Sequence, residues 1–259
     1  RMRASTLKGL LLHTADDLLN PGPDYSSGWG LMNVKAAADL LHSYERFSGA
    51  NRFYEAIVTD TNSPAEHEFV WDGSSAIRVT LCWTDPPANP LSGLNNSSPR
   101  LLNDLDLRVV DPSGATNMPY VLNPSSPSGA ASRGDNDVDN VEQVLMESPT
   151  HAGTYRIRVY ADSALQGGRQ VYSLLLDGAD VPPELDHNPL PNTNETNAPA
   201  VVEVDIDSAS ALDTNKLRTV WWTDGAPGAR TTNLLSLAGN STYTGEISAQ
   251  PIGTTVYYY

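Results

Sequence analysis

The strongest constraint on the fold is the alternation in Leu102 to Val110, LNDLDLRVV, at the centre of a block running from Ala76 to Gly114. Extended backbone puts every second side chain on one face, so Asp104 and Asp106 share a face while Leu105, Leu107 and Val109 take the other. Two acids side by side repel, and the pattern calls for a cation, an arginine or open water between them. Arg108, two residues on, is a candidate partner on the same face. Upstream, AIRVTLCWTDPP sets Ile77, Val79, Leu81 and Trp83 against Arg78, Thr80 and Cys82, and stops at Asp85, where Pro86 and Pro87 bar a ladder. Downstream, DPSG (Asp111 to Gly114) is a tight turn. The block predicts antiparallel β-sheet with acidic loop ends.

Period two extends well beyond it. RFYEAIV (Arg52 to Val58), HEFVW, VEQVLM (Val141 to Met146), GTYRIRVYA (Gly153 to Ala161), QVYSLLL (Gln170 to Leu176) and a short strand at Tyr120 to Leu122 bring the number to about eight, the count of a two-sheet sandwich or jelly roll. Pro86 to Arg100 and Asn123 to Asp139 read as long loops, which a compact domain either leaves mobile or holds down. Before this region the period is helical. Leu7, Leu10, Leu11, Thr14 and Leu18 predict an amphipathic helix ended by NPGP, and Asn33 is placed to cap a second helix with Val34, Ala37, Ala38 and Leu41 buried. The GWG at Gly28 to Gly30 marks a place where backbone passes close to something. Two such helices cannot bury their faces on each other alone, so a partner outside this chain is expected.

Past Gly178, a stretch dense in Pro and Asn reads as a linker (179–198), followed by a second β pattern, VVEVDID, LRTVWWT, TNLLSLAG, STYTGEI and TTVYYY. Trp221, Trp222 and the terminal tyrosines are read as half core and half surface, with stacking on sugar rings as the alternative. Net charge is −15, from 31 acidic and 16 basic residues. That balance argues against nucleic acid as a partner. No apolar run is long enough for a membrane span. Cys82, the single cysteine, reads as a small buried side chain. Asn95, Asn96, Asn194 and Asn240 head N-x-S/T triplets, which a cell without N-glycosylation leaves unused.

Leu7 to Leu41, with Thr14–Ala15, then Gly28, Gly30, Leu31, Met32 and Asn33, then an Ala-rich helix, resembles the last part of the catalytic domain of subtilisin-like serine peptidases. LCWTDPP, NDLDLRVVDPSG, DNVEQV, AGTYRIRVYA and QVYSLLL, in that order, resemble the jelly-roll domain that follows it in one branch of secreted bacterial subtilases. The C-terminal phrases resemble immunoglobulin-like or fibronectin-like modules. The resemblance implies a mainly β chain organised as the two terminal α-helices of an incomplete α/β catalytic domain (1–47), an eight-stranded jelly-roll sandwich (48–178), a linker (179–198) and a truncated immunoglobulin-like sandwich (199–259). It implies an extracellular serine endopeptidase as parent, acting on protein or peptide substrates through a Ser-His-Asp triad. The serine motif is not in this chain and no histidine matches the family's, so no catalytic residue is carried over and this region alone is expected to be inactive.

The resemblance also implies calcium, which takes six to eight oxygens from carboxylates and carbonyls. The oxygens fall in two groups. Asp85, Asn103, Asp104 and Asp106 form one; Asp135, Asn136, Asp137, Asp139, Asn140 and Glu142 form the other. The bland reading is that these residues cap strands and make turns, or that Glu142 and Gln143 pair with Arg133 or Arg156. A different class of function, a carbohydrate- or protein-binding adhesion module, remains the alternative.

Overall fold

Alternating segments become paired antiparallel strands along most of the chain, which is mainly β, with two α-helices and no barrel among the described residues. The computed structural model describes all residues but 1, 47–52, 72, 74, 91, 94, 95, 97, 179–182, 194–196 and 209–211. It divides the chain into two units, Arg1–Asp180 and Val181–Tyr259. The domain boundaries expected near residues 47 and 179 lie outside the described residues, as do Asn95 and Asn194.

The first unit holds α1 (Ala4–His13), α2 (Val34–Arg46), β1 (Phe53–Thr59), β2 (Ala65–Trp71), β3 (Ile77–Trp83), β4 (Leu105–Val110), β5 (Thr116–Asn117), β6 (Tyr120–Val121), β7 (Ser132–Arg133), β8 (Val141–Met146), β9 (Gly153–Ala161) and β10 (Arg169–Asp177). Two four-stranded sheets have the orders β1-β10-β3-β8 and β2-β9-β4-β5. The chain crosses between them again and again, and its first and last strands pair, which is jelly-roll connectivity. The strand expected at Tyr120 to Leu122 joins neither sheet. It pairs with Ser132–Arg133 as a separate ribbon, and Thr116–Asn117 completes the second sheet.

Between the sheets lie Ile77, Val79, Leu81 and Trp83 from β3, Leu105, Leu107 and Val109 from β4, Ile157 and Val159 from β9, and Leu174 and Leu176 from β10, all sealed from solvent. Burying each such side chain contributes about 1.5–3 kcal/mol. The alternation predicted for β3 and β4 is therefore the observed one.

The other face of the first sheet is also covered, because α1 lies on it. The helix docks through small and polar residues, Ser5, Thr6, Gly9, Leu10 and His13. A Cβ on Gly9 would sit 2.6 Å from Leu175 Cδ1 and 3.3 Å from Cys82 Cβ, so glycine sets the approach. Ser5 and Thr6 hydroxyls meet Ser173 Oγ at 2.7 and 2.8 Å, and His13 Nδ1 is hydrogen-bonded to Thr80 Oγ1 at 2.8 Å. The sheet also caps both ends of the helix. Glu55 accepts from Arg3 N at 2.8 Å and from Thr6 Oγ1, and Arg78 Nη1 donates to the His13 carbonyl at 2.6 Å. An anion at the N-terminus and a cation at the C-terminus both complement the helix dipole. Burial works against the Glu55 charge, but the Thr6 and Arg3 contacts hold its pKa below the ordinary value.

Two expectations are corrected here. The helix ends at His13 rather than near Leu19, and Asp16 turns back to bond Leu31 in both directions, at 2.9 and 2.8 Å. Gly30 permits that return: its φ is +97° and a Cβ would lie 2.1 Å from Asp16 O. Second, the helices find a partner within the chain. Leu10, Ala37 and Leu40 cluster with Leu175 of β10. The leucine-rich side expected to be buried is only partly so: Leu10 is buried and Leu11 half-buried, while Leu7 and Leu18 are exposed, as are Leu19, Leu31, Met32 and Val34 nearby in the chain.

The second unit contains β11 (Glu184–Asp186), β12 (Ala200–Asp207), β13 (Arg218–Thr223), β14 (Thr231–Leu234), β15 (Ser236–Leu237), β16 (Thr242–Ile247) and β17 (Val256–Tyr258). They form sheets of order β11-β12-β16-β15 and β14-β13-β17 around Val202, Trp221 and Ile247. β11 comes from the stretch read as linker, and pairs with the end of β12.

Candidate functional site

The acids of the central block face the rim of the sandwich where β4, β8 and β9 meet. On β4, Leu105, Leu107 and Val109 plug into the core, which leaves Asp106 and Arg108 on the opposite face with Asp104 just before the strand. Arg108 is the partner the spacing predicts. Its Nη2 lies 3.2 Å from Asp106 Oδ1 and also binds Asp135 from the long loop. Glu142 arrives from β8. Its Oε2 accepts Leu107 N at 2.5 Å, so a carboxylate from one sheet serves a backbone amide of the other. That carboxylate stitches the two sheets and is itself fully buried. Neither Arg133 nor Arg156 pairs with it: Arg133 donates to the Leu145 carbonyl and Arg156 bonds Glu68, while Gln143 bonds Thr80.

The centre carries more negative charge than Arg108 can offset. Burial, followed by repulsion from Asp137, Asp162, Asp135 and Asp85, pushes Asp104 up to about 6. Asp106 is pushed up to about 7, by burial first and then by sharing a hydrogen bond with Asp135, with Arg108 pulling the other way. Glu142 is raised well above the ordinary value, chiefly by burial. Asp135 is lowered, since it receives the Asp106 hydrogen bond. Two oxygens here, Glu142 Oε1 and Asp104 Oδ1, are buried with no hydrogen-bond partner. An orphaned carboxylate oxygen favours a proton or a cation.

The two groups of oxygens expected from the sequence thus merge in part. Asp104, Asp106, Asp135 and Glu142 share one field, with Asp137 exposed at its margin. The others are held in loop bonds. Asp85 accepts from Leu102 N (2.9 Å) and Asn103 N (2.8 Å), closing the base of the long loop before β4. Asn103 bonds Gln170 and Gln166, and Asn140 bonds the Trp83 carbonyl and Lys8. Asp139 accepts from Asn136, whose Oδ1 in turn accepts from Val138 N and Asp139 N in a turn of the kind Asn and Asp make. Among the described residues no three acidic, histidine or cysteine side chains form a ready metal cage. Asp162 was not foreseen. It follows β9, and the register Leu105↔Ala161 sets it beside Asp104, a neighbour that appears only once the strands are paired.

No family model matches the chain, and no curated protein does. Among solved structures, a DUF4785 family protein of Legionella pneumophila aligns at 8% identity and a TM-score of 0.24, over 76% of this chain and 51% of that one. A serine protease of Aeromonas sobria aligns at 14% identity and a TM-score of 0.23, over 67% of this chain and 40% of that one. The chain therefore spans about half or less of each, and both likenesses fall below the level at which a shared fold follows. Among the described residues no helix is long and apolar enough to cross a membrane.

Proposed function

We propose that this chain is a non-catalytic part of a secreted subtilisin-like serine endopeptidase, in which the jelly-roll sandwich stabilises the peptidase domain. The observation that carries the reading is the two-sided α1 segment. α1 is locked onto the sandwich by buried hydroxyl, histidine and end-capping contacts, while Leu7 on the helix and Leu18, Leu19, Leu31, Met32 and Val34 in the segment that follows it stand in water. Exposed apolar side chains in such number along one segment fit a covering domain. A peptidase domain continuous with α1 would rest on this surface and could not loosen there without straining the buried seam.

Calcium belongs to the same reading. The orphaned Glu142 Oε1 and Asp104 Oδ1, beside Asp106 and Asp135, fit a hard cation in charge and in donor type. Backbone carbonyls and water would complete the shell, since the side chains alone do not close one. The bound ion would supply charge neutralisation and a tie between β4 and β8.

The test uses the complete gene product. It should label with a serine-directed fluorophosphonate. Glu55→Ala, which uncaps α1, should lower its thermal inactivation midpoint by a few degrees with kcat/KM at 25 °C unchanged, a lost helix cap being worth about 1 kcal/mol. Absence of a reactive serine, or a sandwich destabilised without any change in peptidase inactivation, would overturn the proposal.

A further inference from the structure

In the second unit the sheet β14-β13-β17 has an inner and an outer face with different chemistry. Trp221, Val256 and Tyr258 point inward, where they pack with Val202 and Ile247. The register sets the outer rows. Trp222 lies opposite Tyr257, Val220 opposite both Thr232 and Tyr259, and Arg218 opposite Leu234; continuing the β13–β14 ladder by one pair brings Arg230 beside Trp222. Trp222 and Tyr257 are parallel to within 13°, with ring centroids 5.6 Å apart, and Tyr259 meets Trp222 edge-on at 5.9 Å. The Arg230 guanidinium is 5.1 Å from the Trp222 ring and 6.0 Å from that of Tyr259. Tyr257, Tyr259 and Leu234 are exposed.

The charge is as segregated as the rings. Between Val181 and Tyr259 the basic residues are Lys216, Arg218 and Arg230. Lys216 pairs with Asp213 at 3.4 Å. Both arginines sit on the aromatic face, and among the described residues neither meets a carboxylate. The acids Glu203, Asp205, Asp207 and Glu246 belong to β12 and β16, in the other sheet. Among the described residues, the one acid in register with the outer rows is Asp224, in the turn after β13, where its Oδ1 accepts Gly225 N at 3.0 Å. Packed sheets are about 10 Å apart, which is about a Debye length at physiological salt. A ligand on the outer face therefore feels the arginines far more than the acids behind them.

We propose that this face binds a carboxylate-bearing polysaccharide, a polymer of uronic acid units. The C–H faces of sugar rings pack against aromatic rings, and the guanidinium fork takes a carboxylate with two parallel hydrogen bonds. β13 is paired on both sides, so the face offers rings and guanidinium groups but no open backbone. That suits a sugar chain better than an acidic peptide, which binds sheets chiefly by adding to an edge.

The experiment is affinity electrophoresis of the full chain at 0.15 M salt in gels containing polygalacturonate, its methyl-esterified form, or single-stranded DNA. Retardation by the acid polymer alone is expected. Trp222→Ala should weaken it by roughly ten-fold, the loss expected for one aromatic contact. Arg230→Gln should remove the preference for the acid over the ester, and Glu203→Gln should change nothing. Tyr259→Ala serves in place of Trp222→Ala if the latter shifts the unfolding midpoint. Equal retardation by the ester or by DNA, no retardation at all, or a dimer in sedimentation that Trp222→Ala dissolves would each overturn the assignment.

Discussion

Asp104→Asn should stabilise the protein at pH 8 in excess chelator, although it removes a charged group from a strand end. The folded pKa of Asp104 is about 6, above the ordinary 3.8, so the folded state holds the proton more tightly than the unfolded state does. The group therefore favours folding fully below pH 3.8, and that contribution is lost as pH rises through 6. A rise from 3.8 to about 6 amounts to about 3 kcal/mol at full weight. The side chain is partly exposed, and solvent screening reduces this to about 1.5 kcal/mol. An isosteric amide carries no such penalty. The difference between variant and native protein should be near zero at pH 4, grow up to pH 6 and stay level above it, appearing as a midpoint about 4 °C higher in a unit of this size. Urea unfolding at several pH values, read by tryptophan fluorescence, measures it. With calcium at a hundred times its dissociation constant the sign should reverse, because the native protein gains about 2.7 kcal/mol that the variant forgoes. A variant less stable than native in chelator at pH 8, or a difference independent of pH, would refute the account of burial and repulsion.

The glycine contacts yield two further outcomes. Gly9→Ala gains about 1 kcal/mol of helix propensity, but its Cβ meets buried Leu175 and Cys82, and overpacking of about 1–3 kcal/mol should prevail, giving a lower urea midpoint. Gly30→Ala combines a positive φ with a collision against the Asp16 carbonyl, a backbone atom that cannot move aside, and should cost about 3 kcal/mol by the same assay. Cys82 is sealed under α1 and burial pushes its thiol up, so a disulfide reagent should modify it only at the rate of unfolding; rapid reaction in native buffer would mean that the helix does not cover it.

Where side-chain period alone decides the outcome, the sequence was sufficient. Leu105, Leu107 and Val109 had to share a face, Asp104, Asp106 and Arg108 the opposite one, and Trp221 and Trp222 had to part, because extended backbone leaves no other arrangement. Gly30 likewise announced a close approach of backbone. Pairing between distant strands decided the rest. Asp162 joins Asp104 only through the β4–β9 register, Glu142 reaches Leu107 only because β8 borders β4 across the sheets, and Arg230 meets Trp222 only across β13 and β14. The docking face of α1 shows most clearly why. Its hydrophobic pattern points to the leucines, yet of these Leu10 alone is buried, in a docking face otherwise made of Ser5, Thr6, Gly9 and His13 and matched to the serine, threonine and cysteine on the sheet beneath. Periodicity records which residues share a side; complementarity to a surface built from remote strands determines which side is buried.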